Sequence, residues 1–175
     1  MLKYLALFKY LTSKVQGMLR HPISKKDKKS LLQEISRLYS FLNLDYDQPF
    51  EHGRDDEGEY LILGRDIVLF KTGSKWIPSL KYIIKNNIKP SPVLYVDRGA
   101  VNALLRGADL MAPGVRGVEG SFNRDDVVFI LDEEAKKPIA LGLALYSSSE
   151  LKTVSRGRVV KIIHHVGDRF YNKTV

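Results

Sequence analysis

The sequence predicts an α+β fold in two units, the second a small β-barrel with one helix across an end. Three observations carry this expectation. Short apolar runs separated by turn residues fill the chain after residue 92. Upstream, an apolar stripe at helical spacing is followed by two runs joined by a tight-turn signal. Between the two regions lies Lys89-Pro90-Ser91-Pro92, a linker composition that divides residues 1–90 from residues 91–175.

In chain order, Met1 to Leu11 is apolar-rich but interrupted by Lys3 and Lys9. It is too short and too broken for a spanning helix or an export signal. It reads as a surface element docked on the domain, and the chain as cytoplasmic with no membrane partner. Ser24 to Leu42 reads as a helix. Ser24 and Asp27 resemble a capping box with the shorter acid, and Leu31, Ile35, Leu38 and Leu42 form the buried stripe. Lys25, Lys26, Lys28 and Lys29 crowd its first turn, where the helix dipole disfavours cations, so they are candidate electrostatic contacts. Asn43 to Glu59 reads as loop plus a strand edge. Tyr60 to Leu63 and Ile67 to Phe70 form a hairpin across Gly64-Arg65. Pro78 suits the first turn of a helix with Leu80, Ile83 and Ile84 inward and Asn86-Asn87 at its end.

Beyond the linker, Val93 to Val96 is a strand. Asp97 caps a helix running to Arg106, and Gly107 stops it. Ala108 to Ala112, Val127 to Leu131, Ile139 to Tyr146 and Val159 to Val166 complete the strands.

The chain of 175 residues is 44% apolar and 27% charged, the composition of a globular protein. The absence of cysteine excludes disulfides, thiolate metal sites and cysteine nucleophiles. Nucleotide-binding glycine loops and hydrolase motifs are missing. His164-His165 lies in a strand, where neighbours point apart, and His21 and His52 stand alone, so no metal and no cofactor are expected. The acids Asp125-Asp126 and Asp55-Asp56-Glu57 read as turn residues.

The helix after Asp97 is more informative. Val101, Leu104 and Leu105 point to the core, while Arg98, Asn102 and Arg106 share another face with Gly99 beside them. Guanidinium forks suit phosphate, and glycine lets another backbone approach. Gly107-Ala108 extends the low surface, and Arg156, Gly157, Arg158 and Lys161 form a second basic group.

These residues resemble a known family. VLYVDRGAVNALLRGADLMAPG, from Val93 to Gly114, looks like the opening of a PUA domain, the RNA-binding domain of pseudouridine synthases and archaeosine transglycosylases. DDVVFILDEEAKKPIALGLA and SRGRVVKIIHHVGDRFY resemble its central and closing strands. With the hairpin and the W-I-P-S-L segment upstream, the chain resembles the malignant T-cell-amplified-sequence proteins and the amino-terminal part of ligatin, in an archaeal-type form. Ala112 stands where animal relatives carry Cys.

The resemblance implies a small α/β pre-PUA domain followed by a PUA-type mixed β-barrel, and RNA binding without catalysis. The implied partners are structured RNA (ribosomal or transfer RNA), the small ribosomal subunit in initiation, reinitiation or recycling, and an initiation-factor-like protein. The implied RNA-contacting residues are Arg98, Gly99, Asn102, Arg106, Gly107, Ala108, Met111, Arg158 and Lys161, with Arg156 from the basic group beside them. Trp76 before Ile77-Pro78 reads as packing between the halves. Two other readings remain at this point: an RNA-modification enzyme or its accessory subunit, and a protein adaptor docking through residues 60–87.

Net charge is +8, yet unevenly spread: residues 1–30 hold eight bases and one acid, while residues 91–175 hold twelve bases and ten acids. The predicted RNA selectivity therefore rests on placement of residues, and the amino-terminal excess is expected to add salt-sensitive affinity.

Overall fold

The structure is a computed structural model that describes residues 17–175. The expected docking element at Met1 to Leu11 lies outside the described residues. The elements are β1 (Leu19–Pro22), α1 (Lys25–Leu38), β2 (Phe50–Asp55), β3 (Gly58–Leu63), β4 (Asp66–Thr72), β5 (Lys75–Pro78), α2 (Leu80–Lys85), β6 (Val93–Val96), α3 (Arg98–Leu104), β7 (Leu110–Met111), β8 (Val115–Glu119), β9 (Val127–Asp132), β10 (Pro138–Ala144), β11 (Arg158–His165) and α4 (Arg169–Asn172). Strands β1 to β5 form an antiparallel meander in sequence order. The remaining strands form a curled mixed sheet in the order β7-β11-β10-β9-β6-β8, in which β6 and β9 run parallel. The α+β class and the mixed sheet are as the sequence predicts.

Ser24 caps α1 by accepting the Asp27 N–H at 3.1 Å. The Asp27 carboxylate accepts from the Ser24 hydroxyl (2.6 Å), so the reciprocal half of a capping box is a side-chain bond. The helix ends at Leu38, four residues short of the expected Leu42, because Tyr39 leaves helical geometry (φ −139°) to bury its ring and donate its hydroxyl to the Trp76 carbonyl at 2.8 Å. Tyr39 thus replaces Leu38 in the stripe, and Leu38 is 57% exposed. Trp76 itself is buried.

Three strands were not anticipated. β1 and β8 are exposed sheet edges whose polar and glycine content hides the alternation. β5 ends at Pro78, where the sequence suggested a helix start. As an edge strand it tolerates the missing N–H, and Ser79 caps α2 instead. The stretch read as loop plus strand edge contains all of β2, whose six residues pair with β3. Gly64 takes φ +63° at the β3–β4 turn, as the two-residue loop requires.

The halves share a core. Val93, Phe129, Leu131 and Leu141 pack into the same apolar cluster as Ile35, Leu61, Leu69 and Ile77. Their sheet neighbours Leu94, Val128, Ile130 and Ala140 face a second cluster with Val101 and Leu104 of α3. Covering on both faces explains why β9 is continuously apolar over Val127 to Leu131. His164 joins the halves: its fully buried ring accepts the Leu80 N–H at Nε2 (3.2 Å) and meets Asp168 at Nδ1 (2.8 Å). Phe170 stacks on Phe70 with centroids 4.1 Å apart, and Lys173 pairs with Asp55 and Glu57.

Candidate RNA interface

The β6–α3 junction sets the site. Asp97 accepts the Ala100 N–H at 2.9 Å and so starts α3. Its second oxygen accepts from Arg116 of β8 at 2.6 Å. The Ala100 hydrogen bond first, then the Arg116 charge, hold this carboxyl below the usual carboxylate range despite some desolvation. Arg98 and Asn102 project from the exposed face of α3. The helix stops at Leu104, so Arg106 lies in the following turn; Leu105, expected in the core, is 39% exposed. Gly107 adopts φ +86°, which turns the chain sharply into β7.

The expected strand Ala108 to Ala112 contracts to Leu110–Met111, since Ala112-Pro113-Gly114 forms a single 3₁₀ turn. Gly114 passes so near α3 that a Cβ there would lie 2.7 Å from the Ala100 Cβ. Between this turn and α3 is a groove of about 280 Å³ walled by Gly99, Ala100, Ala103, Met111 and Pro113. Ala108 and Met111 are exposed, so both are available to a ligand.

β11 runs beside β7, with Arg158 opposite Met111. The Arg158 guanidinium donates to Asp109 at 2.8 Å, and the other Asp109 oxygen accepts the Ile162 N–H at 2.8 Å. Arg158 and Arg116 are thus half-neutralised. Among the described residues, no carboxylate pairs with Arg98, Arg106, Arg156 or Lys161. Arg98, Gly99, Asn102, Arg106, Gly107, Ala108, Met111 and Arg158 therefore lie on adjoining elements, with Lys161 further along β11 and Arg156 just before it.

The lysine cluster belongs elsewhere, on α1. Lys28 is diverted from it, donating to the Gln48 carbonyl (3.0 Å) with its ammonium 4.8 Å from the Tyr46 ring centre. Two residues escaped the sequence reading as neighbours of this site. Arg116 lies on the unanticipated β8. His165 has its Nε2 3.4 Å from where a Gly107 Cβ would stand, a contact that 58 positions of separation conceal. In the hairpin and helix of residues 60–87, Tyr60 to Ile62, Val68 to Phe70, Leu80 and Ile83 are buried in the core, while Arg65, Lys75, Lys81 and Lys85 are exposed.

This architecture defines an RNA-binding class of fold: residues 92–166 match the PUA domain family, and residues 19–86 match a domain of unknown function (DUF1947). An uncharacterized protein of Methanocaldococcus jannaschii is 35% identical over 157 residues, spanning 87% of this chain and 95% of that relative. This chain belongs to that family of proteins, in which a pre-PUA region precedes a PUA domain. Translation machinery-associated protein 20 of Saccharomyces cerevisiae is 28% identical over 127 residues, spanning 69% of this chain and 70% of its own length. The crystal structure of a PUA domain protein from Aeropyrum pernix superposes with a TM-score of 0.77 at 34% identity, covering 89% of this chain and 90% of that one. No helix among the described residues is long and apolar enough to cross a membrane.

Proposed function

We propose that this protein is a non-catalytic RNA-binding component of the translation machinery, which presents α3, β7 and β11 to ribosomal or transfer RNA on the small ribosomal subunit. The observation that carries this reading is the pair of exposed, carboxylate-free arginines, Arg98 and Arg106, beside a groove walled by small residues in a PUA domain. Such a surface reads backbone and shape, as RNA helices and stem ends require. The name of the yeast relative supports the link to translation. Residues 1–90 form the pre-PUA domain and residues 91–175 the PUA domain in this reading. An initiation-factor-like protein is the protein partner in this reading.

The test is salt-dependent binding of transfer RNA and of ribosomal RNA fragments, with co-sedimentation on small subunits. Arg98→Ala with Arg106→Ala removes two phosphate contacts, so the slope of log K against log salt should fall by about 1.4–1.8. A folded double variant that binds as the parent does overturns the assignment. Deleting residues 1–16, which leaves β1 in place, should shallow the salt dependence and leave RNA preference unchanged.

A further inference from the structure

We infer that His165 is the residue through which this surface tells RNA from DNA: its Nε2 accepts a hydrogen bond from a ribose 2′-hydroxyl of the strand whose phosphates Arg98 and Arg106 hold. This rests on the RNA-binding reading given above and assigns the choice of nucleic acid to one atom of that surface.

His164 and His165 are neighbours on β11, and adjacent residues of a strand point to opposite faces. His164 enters the shared core, where Leu80 and Asp168 engage both ring nitrogens. His165 goes the other way: its Nε2 and Cδ2 lie 3.4 and 4.0 Å from where a Gly107 Cβ would stand. Its Nδ1 lies 3.0 Å from the Val166 carbonyl. A carbonyl only accepts, so Nδ1 carries the proton, and Nε2 of the neutral ring carries a lone pair. The carrier of this ring is anchored on both sides. The Val166 N–H donates to the Ile139 carbonyl at 2.9 Å, and the His165 N–H donates to Asp168 at 3.0 Å. Among the described residues nothing donates to Nε2, and none of their polar side-chain atoms is both sealed from solvent and unpartnered. An oriented acceptor therefore stands open at the turn that closes α3.

The surroundings of Nε2 define the donor it meets. Arg106 precedes Gly107 and is exposed, and the exposed Gly107 and Ala108 put no long side chain in the way of an approaching strand. A guanidinium draws a phosphodiester backbone. The phosphate and ring oxygens of that backbone only accept. The 2′-hydroxyl is its single donor, and DNA has none. An acceptor facing a backbone is thus paired by RNA and left unpaired by DNA, which is a basis for selection. The carboxylates of this surface are already taken. Asp97 is engaged by the Ala100 N–H and Arg116, and Asp109 by the Ile162 N–H and Arg158. Asn102 carries a donor and an acceptor on one amide, so it serves either kind of group.

The experiment measures, by anisotropy in mildly alkaline buffer, the binding of a fluorescein-labelled RNA hairpin and of the same hairpin built with 2′-fluoro sugars. The second probe keeps the A-form helix, the phosphates and the bases, and lacks the donor. The parent should prefer the hydroxyl form about threefold to tenfold, the range of one net hydrogen bond. His165→Phe keeps a ring beside Gly107 and removes the acceptor. It should weaken the hydroxyl form by that factor and leave the 2′-fluoro form unchanged. His165→Gln, whose side-chain carbonyl stands in for Nε2, should keep part of the preference. Arg98→Ala/Arg106→Ala should weaken both probes alike and preserve their ratio. Equal binding of the two probes by the parent, or an unchanged ratio in His165→Phe, overturns the proposal. So does an equal weakening of both probes in His165→Phe, which marks packing or a base contact in place of the 2′-hydroxyl. Failure of the RNA-surface reading has a different signature, namely that the arginine double variant binds both probes as the parent does.

Discussion

His164→Leu should cost about 3–5 kcal/mol of stability, because two buried interactions end on this imidazole. Nε2 accepts the Leu80 N–H, the first amide of α2, which has no partner within the helix. An acceptor at Nε2 places the ring proton on Nδ1, where it donates to Asp168. Leucine removes the acceptor and strands the Leu80 N–H in the shared core, at about 1–3 kcal/mol. It also removes a hydrogen bond to a carboxylate, about 1.5–3 kcal/mol, although Asp168 keeps the His165 and Tyr171 amides. The apolar replacement offsets a fraction of this. Urea unfolding followed by circular dichroism and by the fluorescence of Trp76, the single tryptophan, is the assay. Trp76 lies in the first sheet and His164 in the second, so a continuous core predicts one transition that shifts in both signals. A loss under about 1 kcal/mol, or a fluorescence transition that stays in place while the circular dichroism moves, would refute the argument that His164 fastens the halves.

Other outcomes follow from the same geometry. Burial raises the Asp168 pKa, but hydrogen bonds from His164 and from the Tyr171 and His165 amides outweigh it, and the net shift is downward. Its stabilising contribution is therefore full above the ordinary carboxylate pKa of about 3.9 and disappears as pH falls through the lower folded value. The stability gap between the parent and Asp168→Asn should be constant near pH 6 and close in strong acid; a gap that widens on acidification contradicts this sign. Gly142→Ala should cost about 3 kcal/mol or prevent folding, because its Cβ would overlap the Lys161 carbonyl oxygen and lie 2.8 Å from Val160 at the β10–β11 bulge. Thermal melts of this variant alongside an exposed control, Gly17→Ala, where open space surrounds the Cβ position, would check it. Asp109→Asn keeps an acceptor for the Ile162 N–H but releases Arg158 from its counter-charge. RNA binding should tighten, and the salt slope should steepen by up to about 0.9, measured by titration at several salt concentrations.

The central elements were legible because local rules and tertiary packing agree there. Asp97 caps α3 as its side chain predicts, Gly107 has the positive φ its position requires, and the Gly64 turn joins the strands on either side. The edges were less legible. β8 carries Arg116, Gly117 and Glu119 in five residues, so no apolar alternation marks it, and Arg116 was lost with it. Tyr39 supplanted Leu38 because a hydroxyl partner on Trp76 rewards leaving the helix, and no helical periodicity can register a bond to a residue 37 positions away.

The sequence by itself determined the class and the candidate RNA surface. Capping acids, positive-φ glycines and arginines on one short helix and the turn that closes it are local properties, and a distinctive run from Val93 to Gly114 marks the domain. Tertiary structure alone decided which charges are available. Asp97 and Asp109 hold Arg116 and Arg158, Lys28 is turned aside, and Arg98, Arg106, Lys25, Lys26 and Lys29 remain exposed. It also brought His165 against Gly107 and His164 against Leu80. Each of these is a contact between distant segments, and strand register with a shared core selects such contacts, which no local pattern encodes.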